Sequence, residues 1–127
     1  MVLIDSSAWI HSFRPDGDAA VRKGVRIALE TGEAAWCDMV KLELWNGARG
    51  DKEKRVLREM ELSVPLLPCS PDVWEEAFRM ARSVREHGQT IPATDLLIFA
   101  CARVHGIGLL HADQHLAWLA TRFEKSR

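Results

Sequence analysis

Val2-Leu3-Ile4-Asp5-Ser6-Ser7-Ala8-Trp9-Ile10 carries a short apolar run into a carboxylate and then, without a break, into helix-like spacing. Such a run suits a strand buried on both faces, as in a parallel sheet. Ser6 or Ser7 is the residue type that caps a following helix. Asp5 therefore sits where open α/β sheets place their ligands, outside the carboxyl end of a strand. The same acid is also a good helix cap in its own right, and this stretch alone leaves both roles open.

Working outward, the strand-then-acid pattern recurs. Ala34-Ala35-Trp36-Cys37 is short, apolar and followed by Asp38, and Gly106-Ile107-Gly108-Leu109-Leu110-His111 leads to Asp113. Pro65-Leu66-Leu67-Pro68-Cys69 is proline-bounded and reads as a brief strand near an edge. Helices fill the intervals. Ala8 to Phe13 is broken by Pro15-Asp16-Gly17, and Asp18 caps a helix with Val21, Val25, Ala28 and Leu29 at helical spacing, ended by Thr31-Gly32. Met39, Leu42, Trp45 and Asn46 define a face of the next, with Glu43 among them. Asp51 to Leu62 carries a stripe of Val56, Leu57, Met60 and Leu62.

From Pro71 to His87, Trp74, Ala77, Phe78, Ala81 and Val84 predict the buried stripe. Leu96 to Ala102 is apolar almost all round, with Asp95 at its start and Thr94 as its expected cap. The last helix places Leu116, Leu119, Ala120 and Phe123 inward, before a polar end, Glu124 to Arg127, expected to fray. The alternation predicts an α/β fold, with three α/β/α layers around a short central parallel sheet and residues 1–127 as one domain.

The 127 residues suffice for a core without a staple, and a 47% hydrophobic, 28% charged composition is ordinary for a globular chain. No apolar run is long enough to span a bilayer and no signal peptide is visible, so no membrane is expected and the cytoplasm is the expected location. Seventeen Lys and Arg against eighteen Asp and Glu give a net charge of −1, so any nucleic-acid contact must come from a local patch. Cys37, Cys69 and Cys101 lie far apart and outside any C-x-x-C spacing. That argues against a disulfide framework or a zinc site, and all three read as small buried hydrophobes.

Four acids, Asp5, Glu43, Asp95 and Asp113, fall just past strand ends or at the starts of the helices that follow. In a parallel sheet with right-handed crossovers those positions share one edge. Carboxylates packed there repel one another and resist ionisation unless a cation sits between them. Mg²⁺ or Mn²⁺ suits an all-carboxylate set, whereas zinc favours His and Cys. Metal-dependent phosphodiester hydrolysis is the chemistry that fits. A phosphorylated receiver domain also uses strand-end acids, but it needs an aspartate at the end of the third strand, and Val64 to Cys69 has none.

Four blocks carry a family resemblance: Leu3 to Ile10, Glu43-Leu44-Trp45-Asn46-Gly47-Ala48, Pro92-Ala93-Thr94-Asp95-Leu96-Leu97-Ile98, and Leu110-His111-Ala112-Asp113-Gln114-His115-Leu116. In order and approximate spacing they resemble the PIN-domain family, and in particular the VapC-type toxins of bacterial toxin–antitoxin pairs. The resemblance implies a Mg²⁺- or Mn²⁺-dependent endoribonuclease with a PIN-like fold, leaving 5′-phosphate and 3′-hydroxyl ends. It implies a homodimer and a VapB-like antitoxin partner. Asp5, Glu43 and Asp95 match the motif's acids, Ser6 its following hydroxyl, and Asp113 one acid of the last block. His115 stands where a second acid often lies, which puts a second metal position and the pH dependence in question.

The remaining histidines, His11, His87 and His105, lie near helix ends and read as caps or exposed groups, whereas His111 and His115 flank Asp113. Lys52, Lys54, Arg55 and Arg58, with Arg79, Arg82 and Arg85, are candidates for RNA phosphate contact, although such stripes are commonly only solvated faces. The rival from another class is a PIN-like module that binds RNA or a partner without cutting. Acids and metal do not by themselves separate RNA from DNA as substrate.

Overall fold

The computed structural model describes residues 1–124, so Lys125, Ser126 and Arg127 of the expected polar end lie outside the described residues. The chain runs β1 (Val2–Ile4), α1 (Ser6–Phe13), α2 (Ala19–Glu30), β2 (Ala34–Cys37), α3 (Asp38–Gly47), α4 (Asp51–Ser63), β3 (Leu66–Leu67), α5 (Pro71–Glu86), α6 (Ala93–His105), β4 (Gly108–Leu110) and α7 (Gln114–Phe123).

The four strands form a parallel sheet in the order β3-β2-β1-β4. Val2 pairs with Ala34 on one side and Gly108 on the other, and Trp36 pairs with Leu66. The proline-bounded β3 takes an edge, where the missing proline N–H groups cost no ladder bond. Leu3 and Ile4 point to opposite faces of β1 yet are both 0% exposed, so helices cover the sheet on both sides. That is the expected three-layer arrangement. α6 is buried from Asp95 to Ala102, as its all-round apolar sequence requires. No helix among the described residues is long and apolar enough to cross a membrane.

Several helices turn a different face inward from the one their largest residues predict. α5 buries Val73, Ala77, Met80 and Val84, while Trp74 and Phe78 are 44% and 47% exposed and pack on each other with ring centroids 6.1 Å apart. The smaller face lets α5 lie close along α6, and no room remains there for two aromatic rings. α3 likewise buries Val40 and Leu44 and leaves Leu42 outside, and Leu62 at the end of α4 is exposed.

The cysteine reading also needs correction. Cys37 and Cys101 are buried, but Cys69 is only half-buried, and the three sulfurs lie within 4.8 Å of one another.

The α1–α2 turn depends on a close approach. His11 Nδ1 accepts from Asp18 N at 2.9 Å, and Asp18 caps α2 through Val21 N at 3.0 Å. Gly17 sits under this turn, where an added Cβ would lie 2.1 Å from His11 O. Gly17→Ala is therefore expected to lower unfolding free energy by about 1–3 kcal/mol, read as a reduced urea midpoint at unchanged m-value.

Candidate active site

Strand ends and helix starts do bring the acids to one edge. Asp5 N donates to Leu110 O at 2.9 Å, fixing the ends of β1 and β4 side by side. Asp5 is the cap of α1, its Oδ2 accepting from Ser7 N at 3.0 Å and from Ser7 Oγ at 2.6 Å. Asp113 does the same for α7, its Oδ1 accepting from His115 N at 2.8 Å and Leu116 N at 3.0 Å. Each cap occupies one oxygen. Oδ1 of Asp5 and Oδ2 of Asp113 have no protein donor among the described residues. Capping thus aims the carboxylate and leaves an oxygen for another task.

Asp95 has no such structural duty. The cap position of α6 is Pro92, with no side-chain cap bond, so Thr94 lies inside the helix and does not cap it as expected. Asp95 is nonetheless 9% exposed, and the ion contact it makes is with His115 Nδ1 at 3.6 Å. The same nitrogen stands 3.7 Å from Asp113 Oδ1. Asp95, Asp113 and His115 are the tightest part of the cluster, with ligand atoms within 4.8 Å of one another. Asp5 and Glu43 lie outside that triangle and act on it through their charge. Glu43, half-buried on α3, receives a 2.6 Å hydrogen bond at Oε1 from Ser6 Oγ, the site hydroxyl the sequence points to.

The acids disturb one another. Burial, then the charges of Asp113, Asp5 and Glu43, push the Asp95 carboxyl up to about 6, with His115 opposing. Glu43 is also raised, first by burial and then by Asp5 and Asp113, against the Ser6 hydrogen bond that lowers it. Among the described residues no Lys or Arg forms an ion pair with any of the four acids; His115 is the basic partner present. An uncompensated oxygen-donor cluster of this kind fits a hard divalent cation.

Neither Ser6 nor Ser7 caps α1, since Asp5 takes that position, and Ser7 has a role its residue type did not indicate. Its Oγ donates to Asp5 and accepts from Ala112 N at 2.9 Å, tying the start of α1 to the loop that carries Asp113. The doubled serine was the available signal, but the partner lies 105 residues away. Ser7→Ala leaves the Ala112 amide without that acceptor, and an expected loss of about 1–2 kcal/mol is measurable by chemical denaturation.

Of the basic candidates, Arg79 is held by Glu76 through bonds of 2.9 and 2.6 Å, so its guanidinium is committed on the protein surface.

Comparison with known proteins gives the family. The PIN domain matches residues 2–121, and the chain belongs to the PIN-domain family. Within that family it resembles the VapC ribonucleases. VapC ribonuclease Mb1587 of Mycobacterium bovis is 32% identical over 116 residues, which cover 89% of this chain and 87% of that protein. Among solved structures, FitAcB from Neisseria gonorrhoeae superposes with a TM-score of 0.73 at 22% identity, covering 95% of this chain and 94% of that one. A toxin–antitoxin complex from Klebsiella pneumoniae gives 0.65 at 20% identity, covering 86% and 83%.

Proposed function

We propose that this chain is a Mg²⁺- or Mn²⁺-dependent endoribonuclease, the toxin of a VapBC-type pair, acting on structured or single-stranded RNA in the cytoplasm. The observation that carries this reading is the set of four acids at one sheet edge without a Lys or Arg partner among the described residues. The VapC ribonuclease relative, at 32% identity over nearly the whole chain, supports RNA over DNA as the substrate.

Asp5, Asp95 and Asp113 are the residues to hold the metal, with Glu43 beside them and His115 at the rim. When bound, the ion supplies a polarised water and a counter-charge for the phosphate. The chain's own groups do the rest. Ser6 fixes Glu43 Oε1, leaving Oε2 to accept a proton from the attacking water. As the phosphorus–oxygen bond to the 3′ carbon breaks, that oxygen needs a proton, and the His115 imidazole, 3.6 Å from Asp95 and 3.7 Å from Asp113, is the side chain placed to pass one to it. The Asp5 and Asp113 caps hold both carboxylates without rearrangement, which favours a preorganised site.

Cation binding requires ionised acids, so it is expected to release about half a proton at pH 6 from Asp95, whose carboxyl is pushed up to about 6. Titration calorimetry of Mn²⁺ binding in two buffers of different ionisation enthalpy checks this, and no proton release from the native chain, or release undiminished in Asp95→Asn, would contradict it.

An antitoxin segment needs an apolar seat. An open groove of about 520 Å³, lined by Trp9, Phe13, Val25, Leu29, Val56 and Met60, offers one, and the exposed Trp74–Phe78 pair offers a surface to a second copy. The function itself is tested by cutting of an RNA pool by the purified, antitoxin-free chain with Mg²⁺ or Mn²⁺ and without it. Metal binding with no cutting of any RNA would favour the binding-module reading and make the Asp113-Gln114-His115 departure the suspect.

A further inference from the structure

Away from the acids, every cysteine of the chain meets at one point. Cys37 ends β2, Cys69 follows β3 and Cys101 lies in the middle of α6, yet their sulfurs fall within 4.8 Å of one another. We propose that these three thiols form a second, separate cation site selective for a thiophilic d¹⁰ ion, with Zn²⁺ as its ordinary occupant.

The geometry is close to what such an ion needs. Three sulfurs each about 2.3 Å from one zinc stand roughly 3.8–4.0 Å apart, so the observed triangle closes by about 1 Å per edge or less. Two of the sulfurs are buried and the third, Cys69, is half-buried, which gives the ion a way in. Cys69 is also held in place. Its N–H donates to Asp38 Oδ2 at 2.8 Å, which ties it to the start of α3.

A fourth donor stands nearby. His105 is one helical turn beyond Cys101 on α6, and its Nε2 lies 3.3 Å from the carbonyl of Pro68, the residue before Cys69. Swung inward, it completes a three-cysteine, one-histidine set, a known composition of structural zinc sites. A disulfide would join two of the sulfurs and leave the third idle, whereas one ion uses all three. An occupied site would tie together β2, the edge beyond β3 and α6, and so brace the two helices that carry Glu43 and Asp95.

The test is independent of nuclease activity. Co²⁺ stands in for Zn²⁺ and is added to the reduced chain, in which only thiolate ligation gives sulfur-to-cobalt charge-transfer absorption. One equivalent is expected to develop that band, and stoichiometric Zn²⁺ to bleach it. The band should persist in Asp95→Asn, fall at least tenfold in apparent affinity in His105→Ala, and vanish in Cys69→Ser, a half-buried position that tolerates serine. Protection of the half-buried Cys69 thiol from alkylation by Zn²⁺ in the unsubstituted chain gives a second readout. Absence of the band in the folded, reduced chain, an undiminished band in Cys69→Ser, or alkylation unaffected by Zn²⁺ overturns the proposal.

Discussion

Asp95→Asn is expected to lower the rate of RNA cleavage by on the order of 10²–10³-fold and, in the same molecule, to make the metal-free protein more stable. Both effects come from one cause. Asp95 is 9% exposed, makes no cap bond and is crowded by Asp113, Asp5 and Glu43, so its carboxyl is pushed up to about 6. An acid raised in the folded state binds more protons there than in the unfolded chain. Between about pH 4 and pH 6 the folded protein therefore holds an extra proton, and its stability falls as pH rises through that window. Asparagine keeps the shape and removes the charge. A gain of about 1–2 kcal/mol at pH 7.5, or roughly 3–6 °C in Tm, is expected without metal. Differential scanning calorimetry of both proteins at pH 4 and 7.5, with EDTA, checks the sign: the gap should be small at the lower pH, where Asp95 is protonated in the folded state and largely so in the unfolded chain, and open at the higher.

Asp5 is expected to behave in the opposite way, because it has two jobs. Its Oδ2 caps α1 and holds Ser7, while Oδ1 has no protein donor among the described residues. Asp5→Asn keeps an oxygen for the Ser7 amide and removes the charge, so activity falls by about 10²-fold or more with a stability change of only a few tenths of a kcal/mol. Asp5→Ala removes the cap as well and costs about 0.5–2 kcal/mol besides. Paired kinetics and urea titrations separate the two roles. Equal stability of the two variants would mean that the cap contributes nothing.

The parts of this molecule that read clearly from sequence are those set by short-range chemistry. The apolar run Val2–Ile4 ending in Asp5, the cap Asp18, the edge position of Leu66–Leu67 and the all-round burial of α6 each follow from local residue type. The resemblance pointed to Ser6 as a hydroxyl at the site, but not to its partner Glu43, 37 residues away. What stayed hidden depends on partners distant in the chain. Trp74 and Phe78 give α5 a face as apolar as Val73, Ala77 and Met80, and only the nearness of α6 decides between them. Ser7 has the composition of a cap but serves as a tie to Ala112. The cysteines lack any local metal spacing, and three separate elements bring them together.

The central claim is that the carboxylate edge is a divalent-metal site that cuts RNA. The most direct measurement is cleavage of a mixed structured RNA pool by the purified, antitoxin-free protein with Mn²⁺, beside EDTA and beside Asp5→Asn and Asp95→Asn. Cutting that needs Mn²⁺, leaves 5′-phosphate ends and disappears in both variants is the predicted result. Cutting that survives EDTA, or that continues undiminished in both variants, would contradict it.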